Sequence, residues 1–97
     1  MEKKYFFLRL NAVRPDFIQT MTDAEKAIMQ QHAIYWRGFM GEGKILVFGP
    51  VFDPNGAFGI GVACVDSEEE VRAFIAGDPA LALSTIDHFP MQAVFPQ

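Results

Sequence analysis

Lys44-Ile45-Leu46-Val47-Phe48-Gly49-Pro50-Val51-Phe52, then Asp53-Pro54-Asn55-Gly56, then Ala57-Phe58-Gly59-Ile60-Gly61-Val62-Ala63-Cys64-Val65, is the stretch that decides the fold. Lys44 to Phe52 reads as a strand. Pro50 inside it removes a ladder donor and is tolerated mainly on edge strands or at bulges, so this strand is an edge. Asp-Pro-Asn-Gly is a strong turn signal, so the next strand, Ala57 to Val65, returns antiparallel. In that strand Phe58, Ile60, Val62 and Cys64 alternate with Gly59, Gly61, Ala63 and Val65. One face packs a core and the other leaves room for close approach. Gly59 and Gly61 either open a cavity there or let two sheets pack closely.

Ahead of this hairpin lie a strand and a long helix. Lys4 to Leu10 has Phe6, Leu8 and Leu10 on one face and Tyr5, Phe7 and Arg9 on the other, the pattern of a central strand covered on both sides. Arg14-Pro15-Asp16 breaks the regularity. Thr22 with Glu25 three residues on is a capping box that opens a helix running to Met40, where Gly41 or Gly43 can supply a left-handed cap. At about 100° per residue, Ile28, Met29, Tyr35, Trp36, Phe39 and Met40 fall on an arc centred on His32. A histidine in the middle of a buried face needs a hydrogen-bond partner.

Beyond the hairpin, Ser67-Glu68-Glu69-Glu70 reads as a second capping box. It opens a short helix that buries Val71, Phe74 and Ile75 and stops near Gly77. Asp78 precedes Pro79 and so lies just past the helix end. Ala80 to Ile86 reads as a short turn of helix, Asp87-His88 as a solvated loop, and Met91 to Phe95, after Pro90, as a last strand. The order is β-α-β-β-α-β, an α+β ferredoxin-like fold within one domain over residues 1–97. Right-handed crossovers give a four-stranded antiparallel sheet of order 4-1-3-2 with both helices on one face. The other face stays apolar and uncovered, and a second copy packed sheet to sheet would cover it, as a dimeric α/β barrel.

Composition narrows the classes further. The chain is 51% hydrophobic with ten Phe and only 21% charged, which excludes disorder and implies a self-association surface. The apolar run Tyr5-Phe6-Phe7-Leu8 follows Lys3-Lys4 but is broken at Arg9 and lacks a cleavage site, so it is read as a strand, not a signal peptide. No apolar run reaches membrane-spanning length. Cys64 alone forms no intrachain disulfide, which fits a reducing cytoplasm. A net charge of −4 without a Lys/Arg cluster speaks against nucleic acid and anionic membranes as partners. His32 and His88 with scattered carboxylates lack metal-ligand spacing, and no phosphate-binding glycine loop appears, so the sequence predicts neither metal nor cofactor.

Several of these stretches resemble a known family. Gln31-His32-Ala33-Ile34-Tyr35 is similar to the His-Leu-Ala-Tyr element of YCII-related (YciI-like) proteins, and Glu42 to Pro50 to their Gly-x-Leu-Leu-x-x-Gly-Pro strand. Asn55-Gly56, Ser67-Glu68-Glu69-Glu70 and Asp78-Pro79 follow in family order. The resemblance implies a ferredoxin-like dimeric barrel with a His–Asp pair as its active site, carried here by His32 and Asp78. Activities known among relatives are of lyase type, such as dehydrochlorination of hydroxylated aromatic compounds. Ala80 stands where relatives usually carry an aromatic residue, so a pocket wall is shorter here.

Chemically, Asp78 would fix one imidazole nitrogen of His32 and leave the other to move a proton, giving metal-free elimination or isomerisation of a small, aromatic molecule. The competing reading is a buried histidine that merely ties two helices together. In that case the cleft would serve a non-catalytic small-ligand-binding or accessory domain, or none. Arg9 could hold a substrate carboxylate or phenolate, or only snorkel at the strand end. Tyr35 and Trp36 could wall a planar-ligand pocket, or only fill the core.

Overall fold

The computed structural model describes residues 2–97. Strand β1 (Lys4–Leu10) leads to a four-residue helix α1 (Phe17–Thr20) and the long helix α2 (Asp23–Gly41). Strands β2 (Ile45–Val51) and β3 (Phe58–Val65), helix α3 (Glu68–Ala76), a 3-10 turn (Pro79–Ala82) and strand β4 (Ile86–Met91) complete the fold. All strand pairs are antiparallel and the sheet order is β2-β3-β1-β4, the α+β ferredoxin-like arrangement. Pro50 sits on the β2 edge, as its missing donor requires, and Leu46 bulges where the register shifts between Ile45 and Val47.

Local chemistry sets the element ends. Thr22 accepts from the Glu25 amide while the Glu25 carboxylate accepts from the Thr22 amide, a complete capping box. Arg14 adds a two-pronged ion pair to Glu25, at 2.9 Å on each prong, and donates to the Thr20 carbonyl, clamping α1 against the start of α2. At the other end Gly43, at φ +78°, donates to the Met40 carbonyl and Lys44 to that of Phe39, a Schellman closure. The box at Ser67 is only half formed. Ser67 accepts from the Glu70 amide, but the Glu70 carboxylate takes the Asp66 amide instead of the cap's own.

Two expectations are corrected. The last strand is not Met91–Phe95 but Ile86–Met91, with Asp87 and His88 inside it. Pairing of Leu10 with Ile86 buries Ile86, and Pro90 is accommodated because β4 is the other sheet edge. Between the break at Arg14-Pro15-Asp16 and α2, the short helix α1 forms and buries Phe17. Finally, Gly59 and Gly61 do not admit a second sheet; Gly59 lines a groove on the helix side, and the space at Gly61 is filled. They face the helices, and a Cβ on Gly61 would overlap the edge of the Trp36 ring, whose Cη2 would lie 3.0 Å away. Trp36 is the largest fully buried side chain and takes the space Gly61 leaves.

The core lies between the sheet and α2/α3, built on Leu8, Trp36, Ile45, Val71 and Phe74. Register places Tyr5, Phe7, Val47, Ile60, Val62, Phe89 and Met91 together on the opposite sheet face. Val47 and Phe89 are half exposed there, with Arg9 beside Asp87 as the charged pair of that face. The Phe95 ring, edge-on to Tyr5 at 5.8 Å, reaches back over a corner of it.

Candidate active site

His32 lies in the middle of α2, and Trp36 one turn later presents its ring on the same side, 5.2 Å from the imidazole. The third member arrives from the end of α3. Gly77 caps that helix, and Pro79 pushes Asp78 into extended backbone (φ −76°, ψ 124°), where it caps the 3-10 turn and accepts from the Ala80 amide at 2.9 Å. The turn packs against α2, so the carboxylate meets the histidine. His32 Nδ1 lies 3.0 and 2.9 Å from the two carboxylate oxygens of Asp78, and Trp36 Nε1 donates to Oδ2.

The electrostatics follow from this donor set. The Asp78 side chain is fully buried. Burial by itself pushes its pKa up. The hydrogen bonds from His32, the Ala80 amide and the Trp36 indole outweigh that and hold the carboxyl below its ordinary range. An ionised carboxylate only accepts, so Nδ1 of His32 carries the proton it shares with Asp78. Among the described residues no group bonds Nε2 and no buried side-chain nitrogen or oxygen lacks a partner, so Nε2 is open to solvent. His32 is among the residues lining a groove of about 690 Å³, with Phe17, Met21, Met29, Phe48 and Phe52 and with Ala80 at its wall.

Of the other candidates, Tyr35 and Arg9 lie apart from this contact and Trp36 takes part in it through its indole. Tyr35 points to the far side of α2, where its hydroxyl donates to the Phe74 carbonyl at 2.7 Å and packs over Gly77. Its phenol is pushed up by burial and by the charge of Asp78. Arg9 is on the sheet face away from the helices, its guanidinium 4.0 Å above the Phe58 ring. Trp36 borders the groove but is buried, and its chief polar contact is with Asp78. Sequence reasoning missed that role, although the four-residue spacing from His32 carries the signal. It also missed the Ala80 amide and the groove residues Asn11, Arg37 and Ser84. His88 is a strand residue whose Nε2 lies 3.0 Å from Glu68. Among the described residues no group of His, Cys, Asp and Glu could hold a metal ion, and no helix is long and apolar enough to cross a membrane.

A split β-α-β-β-α-β chain with this sheet order belongs to the ferredoxin-like α+β class. Within that class the family is specific: residues 5–92 match the YCII-related domain, and the chain belongs to that family. No curated protein sequence matches the chain.

Proposed function

We propose that this protein is a small acid–base enzyme of lyase or isomerase type, acting on an apolar, aromatic molecule held in the groove beside His32. The supporting observation is the division of labour on one imidazole that lines the groove: Nδ1 is committed to a buried carboxylate, and Nε2 has no partner among the described residues. His32 Nε2 takes a proton from a substrate carbon and delivers it to the departing group in an elimination, or to a different carbon in an isomerisation, while Asp78 fixes the tautomer and stabilises the imidazolium that forms. Trp36 and the Ala80 amide hold Asp78 in place. The reaction needs no cofactor, and the half-buried Cys64 thiol suits a reducing cytoplasm.

A second copy packed on the open sheet face completes the functional unit. Half-exposed Val47 and Phe89 and the neighbouring Phe7, Ile60 and Met91 support this reading, because so much contiguous apolar surface is seldom left to water.

The test is a long-range proton–nitrogen NMR spectrum of the histidine rings, together with a thermal-shift screen of phenolic and lactone compounds against wild type and His32→Gln. Expected are a His32 proton on Nδ1 and compounds whose conversion, not merely binding, is lost in the variant. A proton on Nε2, or full turnover by His32→Gln, would overturn the assignment. Binding without conversion would favour the non-catalytic ligand-binding reading.

A further inference from the structure

The groove has an electrostatic character at odds with the rest of the chain. The protein carries twelve acidic and eight basic residues, yet among the residues lining the groove there is no Asp or Glu. One permanent cation lines it, Arg37. The other three arginines are engaged: Arg14 with Glu25, Arg72 with Glu68, Arg9 with Asn11. Arg37 is exposed and has no hydrogen-bond or ion-pair partner among the described residues. Along α2 the groove is bordered by Met29, His32, Ala33, Trp36, Arg37 and Met40, a single stripe at helical spacing. Arg37 thus lies about 7.5 Å along the axis from His32.

Size gives a second constraint. A dry cavity of about 150 Å³ holds one benzene ring, whereas this open groove is near 690 Å³ and continues past α1 to Phe58 and Ile60. A single ring would leave most of it to water against Phe17, Met21, Phe48 and Phe52. Ala80, with no side chain beyond Cβ, leaves the wall beside Asp78 low.

We infer that the groove selects amphiphilic monocarboxylates, with an apolar body larger than one ring lying along α2 and the carboxylate held by Arg37. This rests on the reading of the groove as the substrate site and names its ligand class. A planar guanidinium with free donors pairs with a carboxylate through two parallel hydrogen bonds. Apolar walls lacking competing carboxylates strengthen that attraction over what open solvent allows. The anion sits one and a half helical turns from His32, so the head anchors while the body meets Nε2.

The probes are 4-biphenylacetate and its primary amide, nearly equal in shape and different in charge, titrated by calorimetry into wild type, Arg37→Gln and His32→Gln. Wild type is expected to bind the carboxylate about tenfold more tightly than the amide, with the preference shrinking as salt is raised. Arg37→Gln abolishes the preference and leaves amide affinity unchanged. His32→Gln keeps the preference, which separates Arg37 from a charged imidazole as its source. Equal binding of acid and amide by wild type, or a preference that survives in Arg37→Gln, overturns the inference and leaves the acid–base reading of His32 intact. Failure of both probes to bind any of the three proteins, all shown folded by circular dichroism, removes the groove as a ligand site and the inference with it.

Discussion

Replacing Asp78 by Asn tests the site at its most constrained atom pair. The carboxylate serves three donors: His32 Nδ1–H, the Trp36 indole and the Ala80 amide. An asparagine offers one acceptor oxygen and one donor amide. If its oxygen keeps the Ala80 amide, its NH₂ is driven against the indole N–H, and Trp36, at 2% exposed, has no water to turn to. A buried donor without a partner costs about 1–3 kcal/mol, and each charge-assisted bond lost removes a comparable amount. Relief from burying a charge returns part of this. The net loss is expected near 2–4 kcal/mol, a fall in Tm on the order of 10–25 °C for a domain of this size. His32 Nδ1–H is then left with that one oxygen, 3.0 Å away and shared with the Ala80 amide, or the ring changes tautomer, accepting at Nδ1 and moving its proton to Nε2, which removes the free lone pair. The pH dependence has a definite sign. Hydrogen bonding holds the folded carboxyl below its ordinary value, so its stabilisation is present above an unfolded pKa of about 3.9 and is lost as pH falls through the folded value. Asp78→Asn lacks that acid-side loss. Denaturant unfolding gives the magnitude and histidine NMR the tautomer. A variant within about 1 kcal/mol of wild type that keeps its proton on Nδ1 would refute the claim that Asp78 orients the ring.

Other outcomes follow from the same structure. Glu25 is pulled down to about 2, first by the Arg14 guanidinium and then by the Thr22 amide. Its contribution is present above the unfolded value and lost as pH falls toward 2, so Glu25→Gln should flatten the acid limb of a Tm-versus-pH curve; an unchanged limb would place that dependence elsewhere. Gly61→Ala sets a methyl against the buried Trp36 ring and should cost about 1–3 kcal/mol in urea unfolding. Gly59→Ala, whose added Cβ meets Leu10 Cβ at 3.2 Å, should cost less. If a second copy covers the open sheet face, light scattering should give twice the 10.9 kDa chain mass, falling to one chain in Val47→Asp with its helical circular dichroism unchanged. A wild-type monomer would contradict the dimer.

Strand order was legible because Pro50 and the two apolar faces of the first strand are local facts with one global solution. The helix was equally legible: Thr22, Glu25 and the period around His32 act within a few turns of one another. The last strand was misplaced because Pro90 breaks strands only where both sides are paired, and whether β4 is an edge depends on the whole sheet. Gly61 was misread for a related reason, since the ring that fills its space comes from Trp36, twenty-five residues away in sequence. Periodicity placed His32 on the core face, and the family resemblance suggested Asp78 as its partner. Only the packing of the 3-10 turn against α2 brings the carboxylate within 2.9 Å of Nδ1, adds the Trp36 and Ala80 donors, and leaves Nε2 without a partner among the described residues on a histidine that lines the groove. A sequence determines by itself what is fixed by neighbours along the chain. Which atoms share a carboxylate, and which nitrogen is left over, is decided by contacts across it.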